Sequence, residues 1–164
     1  MKIKSDKSLT KKIINVKSPR IAIVVSKFNE TVTSNLLEGA MMSLKSQKVT
    51  EKNIKVYYVP GAFEIPIVLK KICELKSKKK FDGVITLGCV IKGETAHFEY
   101  ISNAVSNNIS ALSVKYEMPV GFSVLTCYTP EQAMARSQIN PCNEDTNKGY
   151  EAASVVIELI NLFS

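Results

Sequence analysis

The stretch L-G-C-V-I-K-G-E-T-A-H-F-E-Y-I, residues 87–101, joins an apolar run to an amphipathic pattern through one glycine. The apolar run predicts a buried strand, and the pattern after Gly93 predicts a long helix that extends to Tyr116. A strand that turns directly into a helix N-terminus leaves unpaired backbone N–H groups and the positive end of the helix dipole facing one point. Such a point binds anions, so we expect an anion site around the N–H groups of Glu94 and Thr95.

The only histidine of the chain, His97, falls in the first turn of this predicted helix. An imidazole beside an anion site is typical of enzymes, because it places an acid/base group next to a bound charge. A single histidine at a helix start is also often an ordinary cap or surface group. The stretch contains neither G-x-G-x-x-G nor the P-loop pattern, so the local sequence indicates a candidate site without naming a reaction.

The rest of the chain repeats this order of strand and helix. Continuous apolar or β-branched runs predict buried strands at residues 20–25, 53–59, 83–91 and 120–126. Apolar residues at helical spacing follow each strand, and a second helical pattern begins near Lys148 after a polar loop. The resulting order βαβαβαβαα predicts an α/β fold, in which a four-stranded parallel sheet has helices on both faces.

Composition narrows the classes of protein that fit. Residues 1–18 are lysine-rich and predict a flexible N-terminal arm, followed by a single domain at 19–164. The net charge of +7 suits an anionic ligand. The four cysteines form no C-x-x-C pair, so they indicate neither a zinc site nor a redox motif. No apolar run is long enough to span a bilayer, which predicts a cytoplasmic protein with reduced thiols.

Ligands of parallel sheets bind beyond the carboxyl ends of the strands, so four strand ends are expected to share one rim. The rim would gather the aromatic ring of Phe28, the carboxylate of Glu64, the predicted anion site and the cation of Arg136. Each of the three side chains has an ordinary alternative role. Phe28 could belong to the core, Glu64 could cap its own helix, and Arg136 could lie at a helix C-terminus, where cations are favoured. Their convergence favours a planar ring stacked on Phe28, hydroxyl groups bound by Glu64, and a phosphate between the anion site and Arg136.

Several strings at these strand ends carry a more specific signal. They are K-F-N (27–29), V-P-G-A-F-E-I-P (59–66), L-G-C-V-I-K-G-E-T-A-H-F-E-Y (87–100), E-Q-A (131–133) and N-K-G-Y-E-A-A (147–153). In this order they resemble the 6,7-dimethyl-8-ribityllumazine synthase family, from about Arg20 to the C-terminus. The resemblance implies a three-layer, flavodoxin-like fold and the penultimate step of riboflavin biosynthesis. That step condenses 5-amino-6-(D-ribitylamino)uracil with 3,4-dihydroxy-2-butanone 4-phosphate to the lumazine and inorganic phosphate, with no metal or organic cofactor.

The resemblance also assigns site residues by matching position. His97 matches the family's proton-transfer residue, and the family's phosphate contacts fall on Glu94, Thr95 and Arg136. Its contacts to the pyrimidine and the ribityl chain fall on Phe28, Ala62, Phe63, Glu64, Cys89, Val90, Ile91 and Phe122. In relatives the site lies between subunits, which implies that Phe122 and Arg136 serve a neighbour's pocket in a homo-oligomer of at least a pentamer. The resemblance further suggests a contact with riboflavin synthase.

The chain departs from the family pattern in a few places. Lys27 stands where many relatives have arginine, and Tyr128 stands where an acidic residue is usual. The segment from Arg136 to Lys148 is longer by about four residues, and a nearby family lysine falls roughly on Asn140. Relatives with a longer connection there tend to stop at pentamers, so a pentamer is favoured over a larger shell.

Two other classes of function stay open at this level. A lumazine- or flavin-binding scaffold with the same fold would keep these motifs and lack turnover. A basic nucleic-acid binder would fit the net charge, although no interleaving of aromatic and basic residues supports it.

Overall fold

The computed structural model describes residues 19–76 and 80–164. The strands in this part of the chain are β1 (Ile21–Ser26), β2 (Ile54–Val59), β3 (Gly83–Ile91) and β4 (Val120–Cys127). The α-helices are α1 (Glu30–Ser46), α2 (Ile65–Cys73), α3 (His97–Tyr116), α4 (Pro130–Ala135) and α5 (Lys148–Leu162). The predicted α/β class is confirmed. The predicted arm at residues 1–18 lies outside the described residues, and its separation from a single domain at 19–164 stays a prediction.

The four strands are parallel and form one sheet in the order β2-β1-β3-β4. All six positions of β1 are buried, because its side chains alternate between two covered faces. Residues of α1 and α5 pack on one face, and residues of α2 and α3 pack on the other, which gives three layers. The chain runs outward from β1 to β2 and then returns to β3 on the other side of β1. This change of direction is the topological switch point, beyond which parallel sheets bind their ligands.

Side chains cap the N-termini of α4 and α5. The hydroxyl oxygen of Thr129 accepts a hydrogen bond from the N–H of Gln132 at 3.4 Å, with Pro130 as the next residue, at the start of α4. Asn147 caps α5 in the same way, accepting from the N–H groups of Gly149 and Tyr150 at 2.9 and 3.1 Å. Both helices therefore begin where a side-chain oxygen replaces the missing intrahelical acceptors.

α5 and its N-cap lie very close to α1 at two positions, and a glycine occurs at each of them. A Cβ built on Gly149 would overlap the backbone carbonyl of Leu36, and one built on Gly39 would overlap the side-chain amide of Asn147. Neither glycine has a positive φ, so close packing explains them and turn geometry does not. None of the described helices is long and apolar enough to cross a membrane.

Candidate active site

The loop after β1 ties the two neighbouring strand ends together. Asn29 has φ 57° and ψ 49°, a left-handed conformation that asparagine tolerates better than most residues. Its side-chain Nδ2 donates to the carbonyl of Cys89 at the end of β3, at 2.9 Å. The N–H of Phe28 donates to the carbonyl of Pro60, beyond the end of β2, at 3.2 Å. The turn leaves the ring of Phe28 69% exposed at the switch point, so core packing does not account for this residue.

The segment after β2 forms a tight 3₁₀ turn at Ala62–Glu64. Ala62 is buried near Gly88 of β3, and the ring of Phe63 is largely exposed. Oε2 of Glu64 accepts a hydrogen bond from the N–H of Gly61 at 2.8 Å, so this carboxylate closes its own turn. Within the described residues Oε1 has no hydrogen-bond partner. The capping role and a ligand contact are therefore compatible at Glu64, because each needs one carboxylate oxygen.

The end of β3 leads into the predicted anion site. Cys89 is buried, Val90 and Ile91 are half-buried, and the turn that follows them is exposed up to His97. In the described part of the chain, the N–H groups of Glu94 and Thr95 have no acceptor, which leaves them available to an anion. They lie in the turn before α3, because the helix itself begins only at His97.

Gly93 lies in this turn, but the turn does not use the conformational freedom of glycine. Gly93 does not have a positive φ, and a Cβ built on it meets nothing within 4 Å. The backbone at this position would accept alanine. Open space therefore lies beside Gly93, the residue directly before Glu94 and Thr95.

The imidazole of His97 is exposed at the first position of α3. The backbone N–H of His97 donates to Oγ1 of Thr95 at 3.4 Å. The next residue, Phe98, is buried and makes an edge-to-face contact with Tyr128, with ring centroids 6.0 Å apart. Nζ of Lys92 lies 5.7 Å from the centre of the Tyr128 ring, within the range of a cation–π interaction. Tyr128 thus contacts residues on both sides of the turn that contains the predicted anion site.

Cys89 is buried two residues before the end of β3. Burial, together with the nearby thiol of Cys127, raises the pKa of Cys89 to about 12 against a smaller lowering by the side chain of Asn29. Cys89 is therefore a neutral, apolar contact at physiological pH and does not act as a nucleophile.

This charge state gives a testable result. At pH 8 a thiol of pKa about 12 is about one part in 10⁴ thiolate, so we expect iodoacetamide to modify Cys89 about 10³-fold more slowly than an unfolded cysteine. The half-buried Cys142 should react first in the folded protein, and mass spectrometry of tryptic peptides would follow both sites. In guanidinium chloride the two should react alike. Equal rates in the folded protein would contradict the burial of Cys89.

Phe122 is not part of this rim. It pairs with Thr86 in the middle of the sheet, whereas Cys127, five residues later on β4, pairs with Ile91 at the rim. At about 3.3 Å per residue this places Phe122 about 16 Å before the carboxyl end of its strand. Its half-exposed ring instead lines an apolar groove between β4 and α3, next to Val120.

Arg136 lies beyond the carboxyl end of β4, at the C-terminus of α4. Its guanidinium is exposed, and Nη1 donates to the carbonyl of Gln132 at 3.0 Å. This contact agrees with the ordinary explanation for a cation at a helix end, and it leaves the remaining guanidinium N–H groups for an anion. One chain therefore brings together the residues at the ends of β1, β2 and β3, and it holds Phe122 apart from them.

Two asparagines near the site have roles that sequence reasoning did not assign. Asn29 ties the first loop to β3, and Asn147 anchors the segment that follows Arg136. Both asparagines occur inside the strings that carry the family resemblance, and this is the signal by which they could have been found. Among the residues the structure describes, no cluster of three or more His, Cys, Asp and Glu side chains is placed to hold a metal ion.

The fold and the rim define an α/β protein in which an exposed imidazole and a turn with unpaired backbone N–H groups lie beyond the switch point of a parallel sheet. Comparison with known proteins identifies the family within that class. The family model described as 6,7-dimethyl-8-ribityllumazine synthase matches residues 18–164. The chain belongs to this family, which confirms the resemblance found in the sequence, and its members are transferases of riboflavin biosynthesis.

Curated relatives agree with this result. The chain is 44% identical over 152 residues to the 6,7-dimethyl-8-ribityllumazine synthase of Leuconostoc mesenteroides subsp. mesenteroides, covering 93% of each chain. It is 46% identical over 143 residues to the protein of the same name from Kosmotoga olearia, covering 87% of each. Family membership implies binding of small-molecule substrates and assembly into an oligomer.

Proposed function

We propose that the protein condenses 5-amino-6-(D-ribitylamino)uracil with 3,4-dihydroxy-2-butanone 4-phosphate at the rim beyond β1, β2 and β3. The products are 6,7-dimethyl-8-ribityllumazine, inorganic phosphate and two molecules of water, one lost in imine formation and one in ring closure. The observation that carries this assignment is the convergence, at one switch point, of an exposed ring, a half-satisfied carboxylate, two unpaired N–H groups and an imidazole. The family model and the two relatives support the same reaction.

The pyrimidine and ribityl half of the pocket is assigned to the ends of the first three strands. The ring of Phe28 stacks on the pyrimidine, because its exposed face lies at the switch point. Oε1 of Glu64 accepts hydrogen bonds from ribityl hydroxyl groups while Oε2 closes its own turn. Apolar and backbone contacts complete this half of the pocket at Ala62, Phe63, Cys89, Val90 and Ile91.

The phosphate half is assigned to the turn before α3. The backbone N–H groups of Glu94 and Thr95 donate to the phosphate, and the guanidinium of Arg136 neutralises its charge. The open space beside Gly93 lets the anion approach the backbone. Only the N–H of Glu94 is assigned to this contact, because its carboxylate carries the same sign of charge as the ligand.

The chemistry requires orientation and proton transfer more than covalent catalysis. The attacking amine belongs to the pyrimidine substrate, so imine formation needs no lysine of the protein. Phosphate loss, enolisation and ring closure then follow within the bound adduct. Holding the two substrates in contact is the main effect of the site, and the imidazole of His97 moves protons between oxygen and nitrogen atoms of the adduct. The proposal includes neither a metal nor an organic cofactor.

Replacing Arg136 with alanine is expected to raise the KM of the phosphorylated butanone about 10²-fold, because an unpaired phosphate charge would stay in the pocket. The KM of the pyrimidine should change little. Steady-state formation of the yellow lumazine, followed by absorbance and fluorescence against the spontaneous reaction, measures both constants.

Lys115→Ala is the matched control, because it removes the same charge from the other end of α3, about 27 Å along the helix axis from His97. It should leave both constants unchanged. A similar KM for the butanone in Arg136→Ala and in the original protein would contradict the phosphate role. Bound lumazine without accelerated turnover by the original protein would favour the binding-scaffold alternative.

The oligomer is proposed to be a homopentamer whose sites combine residues of adjacent subunits. In this arrangement Phe122 and Arg136 serve a neighbour's pocket, which accounts for the distance of Phe122 from the rim of its own chain. The longer segment between Arg136 and Lys148 favours a pentamer over a shell. A cytoplasmic location and a contact with riboflavin synthase belong to the same proposal.

A shared site makes activity depend on assembly. We expect light scattering to give the mass of five chains, and specific activity to fall when the protein is diluted until pentamers dissociate. Concentrating the diluted protein again should restore the specific activity. Full activity in a monomeric fraction would contradict a site shared between subunits.

A further inference from the structure

Asn147 is fully buried and joins α1, the segment after Arg136 and α5. Its Oδ1 accepts from the N–H groups of Gly149 and Tyr150, and its Nδ2 donates to the carbonyls of Asn35 and Gln138 at 2.9 and 3.0 Å. Both donors and both acceptor sites of the amide are therefore used. A buried amide satisfied in this way holds its partners in one arrangement, because losing any bond would leave a polar group unpaired.

The surface of α1 is shaped to receive this amide. Gly39 lies directly against it, and a Cβ at that position would overlap the Asn147 side chain. The carbonyl of Asn35, on the same helix, accepts one of its hydrogen bonds. Asn147 is thus fixed relative to α1, which is itself packed on the sheet.

The backbone that carries Arg136 is attached to this fixed point. Ser137 forms an antiparallel bridge with Asn147, and the N–H of Lys148 donates to the carbonyl of Arg136 at 2.8 Å. The buried hydroxyl of Ser137 donates to the carbonyl of Ala133 at 3.1 Å. The exposed guanidinium therefore extends from a backbone held on both sides, although a long polar segment follows it.

We infer that Asn147 is a positioning residue that sets the place of the Arg136 guanidinium through the two hydrogen bonds donated by Nδ2. This inference rests on the proposed phosphate role of Arg136. A displaced guanidinium would weaken the contact to phosphate, while the ends of β1, β2 and β3 would keep their contacts to the pyrimidine. The effect is thus specific to one substrate.

The test separates capping from positioning. Asn147→Ser keeps a side-chain oxygen that caps α5, and it removes the donations to Asn35 and Gln138. Asn147→Ala removes both functions. We expect either change to raise the KM of the phosphorylated butanone about 10- to 100-fold and to leave the KM of the pyrimidine within about twofold. Asn147→Ser should unfold at a higher temperature than Asn147→Ala.

Ser43→Ala is the matched control, because Ser43 is buried on α1 and its hydroxyl contacts Ser154 of α5 at 3.1 Å, away from the segment after Arg136. It should lower the unfolding temperature and leave both KM values unchanged. Combining Asn147→Ser with Arg136→Ala should raise the KM of the butanone no further than Arg136→Ala alone, because the positioned group is already absent.

The outcomes separate this inference from the proposed function. If Arg136→Ala raises the KM of the butanone and Asn147→Ser does not, positioning by Asn147 is wrong and the phosphate site stands. Equal changes in both KM values, or effects that multiply in the double variant, would also overturn it. If Arg136→Ala itself has no effect, the phosphate role of Arg136 is wrong. The positioning role of Asn147 is then wrong as well, whatever the KM of Asn147→Ser.

Discussion

Replacing His97 with alanine is expected to lower kcat by about 10²- to 10⁴-fold and to leave turnover that is still faster than the spontaneous reaction. The imidazole is the proposed proton-transfer group, but the amine nucleophile comes from the substrate. Proximity of the two substrates therefore remains in the variant and continues to accelerate the reaction. The KM values should change little, because the groups assigned to stacking and phosphate binding are untouched.

The measurement is single-turnover and steady-state lumazine formation by the variant, with the uncatalysed rate subtracted. Added imidazole should restore part of the rate if proton transfer is the missing function. Phe98, the next residue, is buried against Tyr128, so circular dichroism and oligomer mass must first show that α3 still begins normally. Complete loss of activity in a folded oligomer, or an unchanged kcat, would each contradict the assigned role.

The second large effect concerns stability. Gly149→Ala is expected to lower the free energy of unfolding by about 3 kcal/mol or more, because the new Cβ would overlap the backbone carbonyl of Leu36. A backbone atom cannot move aside as a flexible side chain can, so α5 would have to shift away from α1. Chemical denaturation followed by far-ultraviolet circular dichroism measures the change.

Gly93→Ala is the control for this comparison. The same added methyl meets nothing within 4 Å, and the backbone does not have a positive φ. The variant should therefore match the original protein or gain about 0.4 to 1 kcal/mol, through lower entropy of the unfolded chain. If Gly93→Ala lost as much stability as Gly149→Ala, the overlap with Leu36 would not be the cause of the loss at position 149.

Most of the fold was predictable because its signals are local. β3 was predicted at residues 83–91 and occurs there, since a strand buried on both faces appears as an uninterrupted apolar run. The start of α4 has an equally local signal in Thr129 and Pro130, because a cap is a contact between close neighbours in the chain. The parallel sheet followed from the alternation of strands and helices alone.

The rim was predictable only in part. The strand ends led to Phe28 and Glu64, but the sequence did not reveal that Glu64 uses one oxygen for Gly61 and keeps the other. Nor did it reveal the role of Asn147, whose partner Asn35 lies 112 residues away. Contacts of this kind depend on how helices pack, and no local pattern encodes them. The matched position of Phe122 came from the resemblance, since a residue in mid-strand gives no rim signal.

The position of Phe122, in the middle of β4 and away from the rim of its own chain, has a genetic consequence when sites are shared. If Arg136 serves a neighbour's pocket, as proposed, a defect at His97 would damage the pocket on the mutant's own rim, whereas a defect at Arg136 would damage the pocket of the adjacent subunit. Two inactive alleles of these kinds, expressed together, would form mixed particles in which some pockets contain only intact residues. Each allele would complement the other, whereas an Arg136 allele beside the normal gene would not be dominant negative, because every normal chain still completes one pocket.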